Sequence, residues 1–123
     1  MARITGVGGI FFKSPDPKNL AAWYRDVLGL ELSEYGGAML SYETPGHPPF
    51  VVWSPFAGET DYFAPSSREF MVNFAVDALD AFLAQLEEKG VKVLGREDYS
   101  YGRFAWILDP DGTKIELWEP LTP

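Results

Sequence analysis

The chain has 123 residues, no cysteine and a formal net charge of −8, with an isoelectric point near 4.5. Its length predicts a single domain over residues 1–123, and its acidity argues against nucleic acid or an anionic membrane as partner, because both require a basic face. The absence of cysteine excludes disulfides and thiolate metal sites. We expect a cytoplasmic protein, since the sequence shows neither an apolar signal core nor a run of ~20 apolar residues.

The first half of the chain predicts a strand, a helix and three more strands. Residues 4–12 are typical of a strand, although they include three glycines. Asp16 and Pro17 indicate the start of a helix, and apolar residues then recur at helical spacing until Gly29 ends it. The three following strands are predicted at 30–32, between the Gly36-Gly37 turn and about residue 43, and at 50–54.

The same order of elements repeats in the second half. Residues 55–67 carry Pro, Gly and Ser and are predicted to link the two halves. A strand at 70–76 is followed by a helix with Asp77 as its cap and Gly90 at its end. The remaining strands are predicted at 91–93, 103–108 and 113–118, with a tight turn at 109–112.

The two halves align as copies of one unit. The endings Trp-Ser-Pro at 53–55 and Trp-Glu-Pro at 118–120 lie about 65 residues apart, and the two helix-ending glycines about 61 apart. Copies related in this way usually enclose one site between them. Only the second copy has carboxylates near its end, and one of them, Glu116, stands where the first copy has Val51. The two modules are predicted at about 4–55 and 67–120.

Two segments of this repeat resemble the vicinal oxygen chelate superfamily, which comprises glyoxalase I, bleomycin-resistance proteins, fosfomycin-resistance proteins and extradiol dioxygenases. They are Trp23-Tyr24-Arg25-Asp26-Val27-Leu28-Gly29 and Asp109-Pro110-Asp111-Gly112-Thr113-Lys114-Ile115-Glu116-Leu117. The resemblance, which extends over residues 4–120, implies an α+β fold in which two βαβββ modules form a curved mixed sheet around a central cleft, with the helices outside. It also implies a homodimer, which the open edges of two half-sheets favour independently.

Alternation along the strands predicts which side chains face the cleft. In the last strand Ile115 and Leu117 share one face, so Glu116 points to the other. The other strands, together with an aromatic content of 15%, predict a pocket whose walls stack on a flat or apolar molecule. The predicted pocket residues are Phe11, Val51, Trp53, Met71, Asn73, Trp106 and Trp118.

Metal-dependent members of the superfamily hold their metal at four strand positions, which the resemblance places at Gly9, Val51, Met71 and Glu116. Only Glu116 is a ligand for a hard or borderline cation, because glycine and valine have no donor side chain. We therefore expect no metal cofactor; the alternative is a divalent metal held through Glu116. The single histidine, His47, lies in a Gly-His-Pro-Pro segment and is interpreted as a solvated loop residue.

Two functions from different classes follow from these residues. The first is a protein that binds a small organic molecule, aromatic or apolar, without a metal, comparable to the bleomycin-binding members. The second is a glyoxalase-type lyase or isomerase with Glu116 as metal ligand or as general base, within hydrogen-bond reach of an acidic C–H. A third possibility is that the domain only associates with another domain and catalyses no reaction. We expect the binding function, because three of the four ligand positions lack a suitable donor.

Overall fold

The computed structural model describes residues 2–5 and 7–121, and its first regular element is helix α1, Pro17–Leu28. The side chain of Asp16 accepts a hydrogen bond from the backbone N–H of Asn19 at 3.2 Å. Gly29 ends the helix in a left-handed conformation, with φ of 80°, which glycine adopts without steric cost. The predicted start and end of this helix are both confirmed.

A four-stranded sheet forms from the second half of the chain. Its strands are β1 Val72–Ala75, β2 Gly95–Tyr99, β3 Gly102–Leu108 and β4 Lys114–Pro120. In the spatial order β1-β4-β3-β2, β1 pairs with β4 in parallel and the other two pairings are antiparallel. Helix α2, Leu79–Glu88, follows β1. The chain therefore has the predicted α+β class with a mixed sheet.

Both helices pack on the same face of this sheet. The buried apolar cluster consists of Leu20, Tyr24, Leu79, Leu86, Ala105, Ile107, Ile115 and Leu117. Ile115 is fully buried and Leu117 is 1% exposed, so the predicted face of the last strand is confirmed. Each fully buried side chain of this size contributes about 1.5–3 kcal/mol to stability. This apolar layer therefore stabilises the sheet around β4.

Helix α2 begins in a way that differs from the prediction. Asp77 is predicted as its N-cap, but the N-cap is Ala78, which makes no side-chain cap hydrogen bond. Instead the carboxylate of Glu119, near the end of β4, accepts a hydrogen bond from the backbone N–H of Leu79 at 2.7 Å. A negative charge at a helix N-terminus is favourable because the helix dipole is positive there. A neighbouring strand thus supplies the cap.

The third strand of the second half lies further along the chain than predicted. Val91 and Val93 do not form a strand; they pack against the core from a connecting segment. The strand is β2, in which Gly95 pairs with Trp106 of β3. Its residues 96–98 are all charged, as is common in an edge strand, which faces water on one side. The prediction at 91–93 followed the apolar residues and was therefore wrong about the position of this strand.

The strands predicted in the first half remain almost unpaired in the described chain. Residues 7–13, 39–41 and 50–54 form neither helix nor strand, and pairing in the described part of this half is limited to one bridge between Leu32 and Ala38. Gly6, inside the first predicted strand, lies outside the described residues. A strand needs a neighbour to satisfy its backbone N–H and C=O groups, and these segments have no such neighbour among the described residues.

Candidate functional site

Glu116 lies in the middle of β4, on the face of the sheet opposite the helices. It stands in register with Asn73 of β1 and with Trp106 of β3. Side chains directly opposite one another on adjacent strands share a face and lie within reach of each other. Because the flanking Ile115 and Leu117 are buried on the helix side, the three side chains converge on the other side.

The carboxylate of Glu116 accepts three hydrogen bonds. Asn73 Nδ2 donates to Oε1 at 2.8 Å, Trp106 Nε1 donates to Oε2 at 2.8 Å, and the hydroxyl of Tyr62 donates to Oε2 at 2.5 Å. Glu116 is 8% exposed, and a carboxyl group buried this far requires partners that offset its lost hydration. Since a carboxylate offers roughly four lone-pair positions, the three donors fill most of its capacity.

Tyr62 reaches this carboxylate from the segment that links the two halves. Its ring meets Trp106 edge-on, with centroids 6.3 Å apart and planes at 88°, and it stacks on Phe56 at 5.5 Å. Burial, and then the hydrogen bond to Glu116, raise the pKa of the Tyr62 hydroxyl above its usual value. The hydroxyl is therefore a protonated donor at neutral pH, although the residue remains 38% exposed.

Lys114 brings a positive charge to the same place. Its Nζ donates to the backbone oxygen of Tyr62 at 2.6 Å and lies 5.1 Å from the Tyr62 ring centroid and 5.5 Å from that of Trp106. Burial lowers the pKa of Lys114, and the negative charge of Glu116 acts in the opposite direction. An ammonium group over two rings and next to a carboxylate balances the charge of the site.

Aromatic side chains form the rest of this side of the sheet. Trp118 and Phe104 stack nearly in parallel, with centroids 6.3 Å apart and planes at 9°, and Phe50 of the first half approaches Trp118 at 6.2 Å. A Cβ at Gly102 would lie 2.6 Å from Trp118 Nε1, so glycine leaves room for the indole. We refer to four of these side chains as the aromatic face: Tyr62, Phe104, Trp106 and Trp118.

The structure places four of the predicted site residues on this side of the sheet: Asn73, Trp106, Glu116 and Trp118. Three others lie in the first half and are 94%, 46% and 80% exposed: Phe11, Val51 and Trp53. Met71 is half-buried immediately before β1. The structure therefore places the predicted residues of β1, β3 and β4 on one side of the sheet, whereas the three predicted residues of the first half are exposed.

Sequence reasoning missed three residues that contact the others: Tyr62, Phe104 and Lys114. Phe104 and Lys114 share a face with Trp106 and Glu116 by simple alternation, so that signal was present in the sequence. For Tyr62 the signal was weaker. The linking segment carries Phe56, Tyr62 and Phe63, which is more aromatic than a solvated linker requires.

The residues present do not fit a metal ion. Among residues 2–5 and 7–121, no three or more His, Asp or Glu side chains are grouped so that they could hold one. Around Glu116, moreover, the groups from Asn73, Trp106 and Tyr62 all direct hydrogens at the carboxylate, and an indole N–H cannot become a ligand. His47 lies elsewhere, beside Tyr42 with ring centroids 6.2 Å apart.

A second buried carboxyl group has a structural role. Asp109 Oδ2 accepts a hydrogen bond from the hydroxyl of Tyr24 at 2.7 Å, and Oδ1 accepts from the backbone N–H groups of Asp111 and Thr113, each at 2.9 Å. Asp109 borders an open groove of about 340 Å³ beside residues 89–94, but both its oxygens are engaged. It joins α1 to the turn before β4.

Comparison with known proteins gives one family and one fold. Residues 10–117 match the model of the Glyoxalase/Bleomycin resistance protein/Dioxygenase superfamily. The uncharacterized protein YaeR of Escherichia coli (strain K12) is 42% identical over 48 residues, which is 37% of this chain and 37% of that relative. TnmS3, an antibiotic binding protein from Streptomyces sp. CB03234, has a TM-score of 0.62 at 22% identity, over 98% of this chain and 100% of TnmS3. A member of the superfamily from Sphaerobacter thermophilus DSM 20745 has a TM-score of 0.52 at 18% identity, over 85% and 89%.

The fold and the site define a small α+β protein with one carboxyl group buried on a largely aromatic face of the sheet. More particularly, the chain belongs to the Glyoxalase/Bleomycin resistance protein/Dioxygenase superfamily, because the family model covers residues 10–117. This confirms the resemblance seen in the sequence. The structural likenesses are below 25% identity and show the fold. No helix in the described part of the chain is long and apolar enough to cross a membrane.

Proposed function

We propose that the protein binds a small organic molecule, aromatic or apolar, on the aromatic face, with Glu116 as the polar end of the site and without a metal. One observation carries the proposal: a carboxyl group 8% exposed lies among Trp106, Tyr62 and Asn73, all of which donate to it. A mostly apolar wall with a few convergent polar groups is the usual composition of a small-molecule site.

The two parts of the site have different roles in this proposal. The stacked pair Trp118 and Phe104 offers a flat surface for the rings of a ligand, which gain from burial and from stacking. Glu116 orients the ligand by accepting a hydrogen bond from a hydroxyl or amine. The fold shared with an antibiotic binding protein supports the choice of an antibiotic-like molecule as the first class to test.

A metal-free site is part of the proposal. Two of the positions that hold a metal in metal-dependent relatives are Gly9 and Val51 here, and neither side chain has a donor atom. Elemental analysis of the protein purified without added metal tests this directly. Stoichiometric zinc, nickel, manganese or iron that is lost in Glu116→Gln would contradict the proposal and support the lyase alternative.

The binding proposal is tested with native mass spectrometry followed by titration. Native mass spectra of protein purified without added metal report any co-purified ligand, and tryptophan fluorescence then follows titration with bleomycin, 2-naphthol and naphthalene. We expect at least one of these to bind wild type and to bind Glu116→Gln at least about tenfold more weakly, since a hydrogen bond to a charged group is lost. Glu88→Gln, at an exposed residue of α2 on the other side of the sheet, is the matched control. Equal binding by wild type and Glu116→Gln would show that the site lies elsewhere.

The glyoxalase-type alternative uses the same carboxylate. Glu116 as general base would need a free lone pair within reach of the substrate C–H, and the three hydrogen bonds from Tyr62, Asn73 and Trp106 leave about one of its four lone-pair positions for this. Glu116→Asp shortens the side chain but keeps the charge. It would abolish turnover of a hemithioacetal substrate if the alternative holds, while simple binding of an aromatic ligand would weaken only partly.

We also propose a homodimer in which the first half meets a second copy of the chain. Its unpaired segments expose large apolar side chains, with Ile10 at 63%, Phe11 at 94%, Val52 at 69% and Trp53 at 80% exposure. Exposure of this many large apolar side chains is typical of a surface that is covered by a partner. Sedimentation equilibrium at tens of micromolar should show a dimer, weakened by Trp53→Ser and not by Tyr35→Ser, a control at 91% exposure. A monomeric wild type would contradict the proposal.

The cytoplasmic location expected from the sequence stays a prediction. Fractionation of the producing cells tests this prediction. The protein should be found in the cytoplasmic fraction and not in the exported fraction.

A further inference from the structure

Tyr62 supplies to Glu116 the kind of group that an aromatic ligand with a hydroxyl would supply. The phenol O–H donates to Oε2, the ring meets Trp106 edge-on at 6.3 Å, and the Lys114 ammonium lies over the ring at 5.1 Å. Phenol, ring and cation contacts are thus all made within the chain. A free phenol in the same place would make the same three contacts.

Tyr62 can leave this place without breaking the sheet. It lies in residues 54–71, which contain no helix or strand, and its backbone is held by two hydrogen bonds: its N–H donates to Thr60 Oγ1 at 3.2 Å, and its carbonyl accepts from Lys114 Nζ at 2.6 Å. The residue is 38% exposed. A side chain on an irregular segment, part exposed and hydrogen-bonded at its tip, moves at lower cost than one on β3 or β4.

The groups around this place determine what could replace the Tyr62 side chain. Asn73 and Trp106 already donate to the carboxylate, so the group that Glu116 lacks when Tyr62 leaves is one more donor. A carboxylate or phosphate would be repelled by Glu116, and an ammonium would meet the charge of Lys114, whose Nζ lies over the ring position. A neutral O–H on an aromatic ring satisfies all of these conditions.

We propose that Tyr62 is an internal occupant of the ligand's aryl-hydroxyl position, and that the site takes hydroxylated aromatic molecules that displace it. The inference rests on the proposed binding function and narrows its ligand class to phenols. The raised pKa of the Tyr62 hydroxyl agrees with this, because a protonated phenol and not a phenolate is what the carboxylate selects. Tyr62 then competes with the ligand for Glu116, and a ligand binds only if its contacts outweigh those of Tyr62.

The test compares 2-naphthol with naphthalene in wild type and Tyr62→Phe. Tyr62→Phe keeps the ring with its packing on Phe56 and Trp106 and removes the hydroxyl, so only the competing hydrogen bond to Glu116 is lost. We expect 2-naphthol to bind Tyr62→Phe about tenfold more tightly than wild type, the size expected for one hydrogen bond to a charged group. Naphthalene has no donor that could replace the Tyr62 hydroxyl, so it should bind beside Tyr62 on the aromatic face with the same affinity in both proteins. If Tyr62 were instead part of the ligand's wall or a donor to the ligand, Tyr62→Phe would bind 2-naphthol equally or more weakly, and the proposal would fail.

Two further variants separate this inference from the binding proposal. In Tyr62→Phe/Glu116→Gln the preference for 2-naphthol over naphthalene should disappear; its persistence would show that the hydroxyl binds elsewhere, which overturns the inference. Tyr35→Phe, at a tyrosine 91% exposed, should bind as wild type does. If wild type binds 2-naphthol but Tyr62→Phe gives no gain, the binding function stands and the Tyr62 inference is wrong. If no variant binds either compound, the Tyr62 inference is wrong, and the bleomycin titration then decides the binding proposal.

Discussion

The two halves of the chain carry the same pattern and form different structures. In the second half the alternating strand around Ile115 and Leu117 is paired on both sides and buried under two helices. In the first half the equivalent segment around Val52 has no strand neighbour in the described chain and is 69% exposed at that residue. Alternation thus specifies which face a side chain takes, whereas pairing requires a partner strand that the alternation does not supply.

The largest difference should come from truncating equivalent residues of the two halves. Leu117→Ala should lower the free energy of unfolding by about 2–5 kcal/mol, because it leaves a cavity in the core. Val52→Ala should lower it by less than about 0.5 kcal/mol, as exposed substitutions do. Urea denaturation of both variants at one protein concentration measures this. A large loss in Val52→Ala that grows with protein concentration would show that a second copy buries Val52.

Helix α1 carries a buried hydroxyl–carboxyl contact, and its loss should be the next largest effect. Tyr24→Phe should cost about 1–3 kcal/mol at neutral pH, because Asp109 loses a buried hydrogen bond. Burial and Asp109 raise the pKa of Tyr24, so the folded state holds the phenolic proton more tightly than the unfolded state. The stability that this contact contributes is fully present below the usual tyrosine pKa of about 10 and is lost as the pH rises above that value.

The pH dependence provides the check on that contact. Urea denaturation of wild type between pH 8 and pH 11 should show a decline in stability above about pH 10, and Tyr24→Phe should show a smaller decline. Tyr35→Phe, at an exposed tyrosine, is the control and should follow wild type. An alkaline decline of the same size in Tyr24→Phe and wild type would show that Tyr24 does not carry it.

A smaller difference should appear at the two module endings. Glu119→Ala should lower stability by about 1 kcal/mol, because α2 loses the acceptor for the Leu79 N–H. Ser54→Ala, at the equivalent position of the first half, should change stability by less than about 0.5 kcal/mol. Thermal unfolding of the two variants side by side makes the comparison. Equal losses would indicate that Ser54 caps a helix in solution.

The smallest effect on folding should come from the site itself. Glu116→Gln should lower stability by less than about 1 kcal/mol, because an amide oxygen in the Oε2 position still accepts from Trp106 and Tyr62, while the exposed amide of Asn73 turns to water. Val51→Ala, the equivalent in the first half, should be neutral. A loss above about 3 kcal/mol in Glu116→Gln would mean that the hydrogen-bonded cluster serves stability more than binding.

Local patterns predicted helix α1 of the first half, much of the second half and part of the site. The helical stripe, Gly29 and the alternation of β4 are properties of neighbouring residues, so α1 and the direction of Glu116 were predictable. The contact of Glu116 with Asn73 required only the parallel register of β1 and β4. Each of these follows from spacing within one or two elements.

Contacts between residues far apart in the sequence could not be predicted from such local patterns. Tyr62 meets Glu116 across 54 positions of sequence, by way of a segment whose Pro, Gly and Ser indicate only a loop. Glu119 replaces Asp77 as the cap of α2 because the sheet brings it there, and no local cap rule contains that information. Strand β2 has three charged residues in a row and is fixed by backbone pairing with β3, to which composition gives no guide.

Helix α1 comes from the first half, yet Leu20 and Tyr24 lie in the same buried cluster as Leu79 and Leu86 of α2. A protease that cut the chain between residues 55 and 67 would therefore not release two independent pieces. The C-terminal piece alone would expose part of its core to water, while the N-terminal piece would keep a helix with nothing to pack against. The nicked protein should stay together as a complex of two complementing fragments, held by α1 and by the bond from Tyr24 to Asp109.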